Sequence, residues 1–128
     1  MFKDTPAFSS YSVDDIDKAK EFYGQTLGLS VEEQSGMGLH VTLAGGGKLF
    51  LYPKGDAHKP ADFTVLNFAV DDIEAAVAGL KEKGVALEHY DGFNQDEDGV
   101  ARSKTPEDGP SIAWFKDPAG NVLAVLQS

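Results

Sequence analysis

The sequence contains no cysteine. Disulfide scaffolds, thiolate zinc sites, iron–sulfur clusters and cysteine nucleophiles are therefore excluded. Histidine is nearly as scarce. His40, His58 and His89 are the whole supply, and no two stand at the i, i+2 or i+4 spacing that would place imidazoles on one face of a strand or helix. Positive charge is also short: 11 Lys and Arg oppose 21 Asp and Glu, a net charge of −10 with a pI of about 4.5. A nucleic-acid binder needs a basic face to displace counterions from phosphate, and anionic lipid demands the same sign of charge, so neither partner is expected. The longest apolar run is Val122–Leu126, five residues, against the roughly 20 that a bilayer-spanning helix requires. The opening residues Met1-Phe2-Lys3-Asp4-Thr5-Pro6 show no apolar signal core, and the expected compartment is the cytoplasm.

What is present is a globular chain written twice. Its 128 residues are 41% hydrophobic and 25% charged, a one-domain length with a composition able to bury a core. Val13-Asp14-Asp15-Ile16 recurs as Val70-Asp71-Asp72-Ile73, 57 positions later. Each copy follows an apolar stretch of period two, Phe8 to Val13 and Val65 to Val70, and precedes a helical stripe. Ile16, Ala19, Phe22, Tyr23 and Leu27 form the first stripe; Ile73, Ala76, Val77 and Leu80 form the second. The aspartates supply N-cap oxygens, and Gly28 and Gly84 stand where each helix must stop in a left-handed conformation. Strand patterns then return: Leu39 to Leu43 and Lys48 to Tyr52 in the first copy, Ile112 to Phe115 and Val122 to Leu126 in the second, the last two joined by the turn Asp117-Pro118-Ala119-Gly120-Asn121. Each half reads β-α-β-β-β. The expectation is an α+β fold in one domain over 1–128, with module 1 over about 5–53, a linker at 54–61 and module 2 over about 62–128.

Paired β-α-β-β-β units carrying Phe22-Tyr23, Leu27-Gly28-Leu29 and Trp114-Phe115-Lys116-Asp117-Pro118-Ala119-Gly120-Asn121 resemble the vicinal oxygen chelate superfamily, which contains glyoxalase I, extradiol dioxygenases, and fosfomycin- and bleomycin-resistance proteins. The resemblance covers nearly the whole chain. It implies two modules whose curved mixed sheets form a cup for a small molecule, and a homodimer with shared pockets.

In metal-dependent members the resemblance places ligands on cup-facing strands. Counting seven residues back from Asp15 and Asp72 gives Phe8 and Val65; counting seven on from Asp117 gives Ala124. The fourth region, Lys48 to Tyr52, contains neither carboxylate nor imidazole. Carbon side chains donate no lone pair to a divalent ion, so no metal and no cofactor are expected.

With Phe8 and Val65 facing the cup, strand alternation adds Ser10 and Asn67 to that face, with Ala124 from the last strand. His40 faces either the cup or solvent. Tyr52 and Trp114 are either inter-strand core or pocket lining, and Asn67 is either a satisfied structural amide or a group that orients a ligand. The candidate ligand-binding set is therefore Phe8, Ser10, His40, Tyr52, Val65, Asn67, Trp114 and Ala124, with no catalytic residue assigned. The acidic stretch Glu88 to Pro110 holds seven acids and two bases. It is either a solvated hairpin or a lid whose potential favours a cationic ligand. The expected function is metal-independent binding of a cationic or aromatic small molecule, similar to sequestration by bleomycin-resistance proteins. The alternatives are a glyoxalase-like lyase, isomerase or dioxygenase with non-standard metal ligands such as His40, and a partner-binding module with a vestigial cup.

Overall fold

A computed structural model describes residues 1–128, the side chain of Pro106 excepted. The chain divides into two compact units, Met1–Pro60 and Ala61–Ser128.

The first unit contains β1 (Ser9–Val13), α1 (Ile16–Glu21), β2 (Ser30–Gln34), β3 (Gly38–Thr42) and β4 (Lys48–Pro53). Its sheet runs β1-β4-β3-β2, with β1 parallel to β4 and the other pairs antiparallel. Asp15 caps α1, its Oδ1 accepting from the amides of Asp17 and Lys18 at 2.9 and 3.2 Å. The helix then widens into a π turn over Phe22–Thr26, closed by the Leu27 amide on the Phe22 carbonyl at 2.8 Å. The wider turn buries Phe22 and Tyr23 together, although they are adjacent in sequence. Val13, Ala19, Leu39, Val41, Leu49 and Leu51 of the same unit are buried as well, and this apolar burial stabilises the unit.

The second unit contains β5 (Thr64–Ala69), α2 (Ile73–Glu82), β6 (Ser111–Lys116) and β7 (Val122–Gln127). Its sheet runs β5-β7-β6, with β5 parallel and β6 antiparallel to β7. Asp72 repeats the cap, accepting from Glu74 and Ala75 at 3.0 and 3.2 Å. Gly28 and Gly84 both adopt positive φ, +75° and +81°, as their positions at the helix ends require. Ile73, Val77 and Leu80 are buried, and α2 packs on β6 and β7.

The two units are repeats with one difference. The first has an edge strand, β2, beside β3. At the corresponding edge of the second, beside β6, the strand is reduced to isolated bridges, Leu87 with Phe115 and Ala101 with Ile112. Between those bridges the chain makes an excursion over residues 88–100. In the sequence Val85 and Leu87 precede a long polar stretch, with a strand expected around Val100 to Lys104; at Ala101 that strand is a single bridge.

Candidate functional site

In the second unit, Trp114 pairs with Ala124 and Ala124 pairs with Asn67. Directly paired residues on neighbouring strands project from the same side of a sheet. Asn67, Ala124 and Trp114 therefore form one row across β5, β7 and β6. Val65 does not continue this row in register. Thr64 pairs with Val122 and Leu66 with Leu123, so a bulge leaves Val65 without a partner strand position. One extra residue breaks the period-two alternation, and Thr64 takes the place opposite Val122 that uniform alternation assigns to Val65.

Trp114 is 8% exposed and clusters with buried Val122 and Ala124. Its cover comes from the excursion. The Tyr90 ring meets it edge-on at 5.5 Å and 74°, and the Phe93 ring lies at 4.8 Å and 56°. Ala101 and Ile112 complete the cluster. Asn67, by contrast, is exposed at the β5 end of the row. The acidic segment is thus neither a plain solvated hairpin nor an open flap, because it carries two aromatic rings onto the sheet.

Gln95 organises the excursion. Its Oε1 accepts from the Tyr90 amide at 2.7 Å, and its Nε2 donates to the carbonyls of Glu88 and Gly99 at 3.0 and 2.7 Å. Asp96 secures the following turn: its Oδ1 accepts from the Asp98 and Val100 amides, both at 2.9 Å, and its Oδ2 accepts from Arg102 Nε at 2.7 Å. Arg102 is also paired with Glu74, and Lys81 with Asp98, which ties this turn to α2. Burial alone draws the Asp96 carboxyl upward, but the amide of Val100 and the Arg102 guanidinium outweigh it and hold the pKa below the ordinary carboxylate value. The Tyr90 hydroxyl is buried and has no hydrogen-bond partner among the described residues. Burial, then the charge of Glu88, pushes its pKa up; Lys116 acts in the opposite sense.

The first unit presents a different face. Ser10 pairs with Phe50, Phe50 with His40 and His40 with Glu32, while Ser12 pairs with Tyr52. These residues share the side of the sheet opposite Leu39, Val41, Leu49 and Leu51. The rings of Phe50 and Tyr52 are near-parallel, 21° apart with centroids 6.4 Å apart, and His40 lies 4.8 Å from Phe50. His40 Nε2 donates to Gln34 Oε1 at 2.8 Å, since an amide oxygen only accepts. Ser10, His40 and Tyr52 are exposed, and Phe8, just before β1, is 68% exposed. One contact on this face has no sequence signal. Ser12 Oγ and His58 Nδ1 are 2.7 Å apart, joining β1 to the segment after β4.

The residues present do not fit a divalent ion at the positions the resemblance points to, because Phe8, Val65 and Ala124 offer only carbon. Among the described residues, no group of three or more His, Asp or Glu is placed to hold one elsewhere. A surface cleft of about 690 Å³ in the second unit is lined by Asp72, Ile73, Arg102, Lys104, Ser111 and Gln127, among others, and by none of the candidate residues. Several of the polar groups there are already engaged. Arg102 holds two carboxylates, and the first amides of α2 are taken by Asp72 and by Gln127 Oε1.

A family model described as the Glyoxalase/Bleomycin resistance protein/Dioxygenase superfamily matches residues 7–125. No curated protein matches the chain. Among solved structures, the chain is similar to TnmS3, an antibiotic binding protein from Streptomyces sp. CB03234, at 27% identity over 97% of each chain with a TM-score of 0.66. It is also similar to a glyoxalase/bleomycin resistance protein from the same organism, at 28% identity over 94% of this chain and 100% of that one, TM-score 0.61. A lactoylglutathione lyase from Agrobacterium tumefaciens shares the fold at 20% identity, over 97% and 94%, TM-score 0.68.

Proposed function

We propose a small-molecule-binding role for this chain, which belongs to the Glyoxalase/Bleomycin resistance protein/Dioxygenase superfamily. In this reading the protein captures an aromatic ligand without a metal and acts by sequestration rather than by turnover. The observation that carries it is the row Asn67–Ala124–Trp114. It sets an indole and an exposed amide on either side of a carbon side chain that cannot serve as a metal ligand. An apolar, aromatic surface with a few polar groups is the usual lining of a small-molecule site. A net charge of −10 favours a cationic ligand through the field it creates. The antibiotic binding protein TnmS3, at 27% identity, supports an antibiotic as the kind of molecule held. A second copy of the chain is the expected partner, and the exposed rings of Phe8 and Tyr52 support that assignment.

The test is a thermal-shift screen against planar aromatic antibiotics, cationic and neutral, with and without a chelator. Binding to the native state raises the transition by mass action. At least one cationic aromatic compound is expected to stabilise the protein equally in chelator, with the shift reduced by Trp114→Ala and Asn67→Ala. A shift that appears only with added metal, or the absence of any shift across the panel, overturns the reading in favour of metal-assisted catalysis or a different partner. Light scattering on the eluting protein checks the dimer.

A further inference from the structure

We propose that the Trp114 face is a subsite for a planar aromatic ring bearing a hydrogen-bond-accepting atom, and that Phe93 occupies it as a displaceable stand-in for that ring. The inference rests on the binding role proposed above and adds to it the chemistry of the ligand and the side chain that covers the site.

The first observation is the Tyr90 hydroxyl. Among the described residues it is the buried side-chain polar atom without a partner. An orphaned buried donor costs about 1–3 kcal/mol, and native structures retain such groups where a ligand or function requires them. Here the donor belongs to a ring that touches Trp114 edge-on. An acceptor atom on a ring lying against Trp114 would remove the cost. A phenol is protonated at neutral pH, so the Tyr90 hydroxyl is a donor there.

The second observation is Phe93. Its ring lies on Trp114, yet the residue is 55% exposed. Half of its apolar surface gains nothing from burial, so its hold on the indole is weak compared with that of a fully buried phenylalanine. It is nevertheless the same kind of group that the site would capture.

The third observation is how the two residues are attached. Gln95 clamps the base of the excursion by bonding the Tyr90 amide and the Glu88 and Gly99 carbonyls. Tyr90 therefore belongs to the fixed frame. Asp91, Gly92, Phe93 and Asn94 lie inside the clamp. Gly92 has φ of +88°, a conformation from which glycine rotates at little cost. The Phe93 carbonyl accepts from the Gln95 amide at 3.0 Å, so it is the side chain that swings off Trp114, which breaks none of the bonds made by the Gln95 side chain and leaves Tyr90 in place to receive the ligand.

A site blocked by its own side chain binds with an affinity reduced by the fraction of time it is open. Phenol and toluene are probes of equal size that differ in the hydrogen-bonding oxygen. Phe93→Ala, with Phe93→Ser as a second variant, should bind phenol about tenfold more tightly than the parent protein in calorimetric titration. Each variant should prefer phenol to toluene several-fold, and the added change Tyr90→Phe should abolish that preference. Trp114 is the sole tryptophan, so acrylamide quenching of its fluorescence should rise in both variants and fall again with phenol. Unchanged phenol affinity, unchanged quenching, or no phenol binding by either variant overturns the stand-in role. Equal phenol and toluene binding overturns the role of Tyr90. These outcomes are separate from the antibiotic screen. Phenol binding with no antibiotic binding sinks the sequestration reading alone, and antibiotic binding with an inert Phe93→Ala sinks this inference alone.

Discussion

Ser12 and His58 are 46 residues apart in sequence and 2.7 Å apart in space, hydroxyl to ring nitrogen. The bond fastens the segment that follows β4 to the first strand of the same unit. The Lys54 amide on the Val13 carbonyl at 2.9 Å makes a second tie at the start of that segment. Replacing Ser12 by Ala should cost about 1 kcal/mol in urea unfolding and speed proteolysis within residues 54–60. A Ser12→Ala variant as stable and as resistant as the parent would show that the contact contributes nothing.

The Asp96 turn gives the molecule an acid sensitivity of known sign. Its carboxyl pKa is lowered in the fold by the Val100 amide and Arg102 against an opposing effect of burial. A depressed carboxyl contributes stability above its unfolded pKa of about 3.9, and that contribution is lost as pH falls through the lower folded value. The Val100 amide proton should therefore titrate with a midpoint below the ordinary aspartate value, and fluorescence quenching of Trp114 should increase over the same range. Asp96→Asn should remove the step. A midpoint at or above the ordinary value would refute the assignment.

Asn121 holds the last hairpin closed from within. Its Nδ2 donates to Asp117 Oδ2 at 3.1 Å, its Oδ1 accepts from the Ala61 amide at 3.1 Å, and both Asn121 and Asp117 are buried. Asn121→Ala should destabilise the protein by about 2 kcal/mol, because a buried carboxylate and a backbone amide each lose a partner. Asn121→Asp should cost more at neutral pH, since it sets one carboxylate against another. Chemical unfolding of the two variants at neutral pH checks the order.

Gly38 marks a close approach rather than a flexible point. A Cβ there would stand 2.3 Å from the Leu51 carbonyl oxygen and 2.8 Å from Phe50 Cζ. Backbone oxygen cannot move aside, so Gly38→Ala should cost about 1–3 kcal/mol by overpacking. It should also displace the Phe50 ring from His40, visible as a change in the His40 ring shifts. Wild-type stability in this variant would mean that β3 and β4 are further apart than described.

Much of the scaffold was legible because its signals are local. Asp15 and Asp72 cap helices through amides two and three residues on. The Asp117–Asn121 turn closes through its own backbone, Asp117 donating to the Asn121 carbonyl at 3.0 Å. The placement of Asn67 and Ala124 on one face followed from the resemblance, which turned Val65 and Ala124 toward the cup, and from the alternation that carried that face from Val65 to Asn67. Val65 itself does not join the row in register, because of a bulge, which is one added residue with no compositional mark. The surroundings of Trp114 were equally hidden. Tyr90, Phe93 and Gln95 lie in an acidic stretch without period, and nothing near them in sequence says that the chain returns to the sheet.

By itself the sequence pointed to a duplicated β-α-β-β-β pattern, to its caps and turns, and to carbon side chains at the positions the resemblance singled out. Those depend on residue chemistry and on spacings of a few positions, which act over one helical turn or one strand pairing. The tertiary structure alone decided that the second unit's edge strand is interrupted, that its excursion brings Tyr90 and Phe93 onto Trp114, and that Ser12 meets His58. Such contacts form between segments distant along the chain, and they depend on the path that closes each loop rather than on any preference of the residues within it.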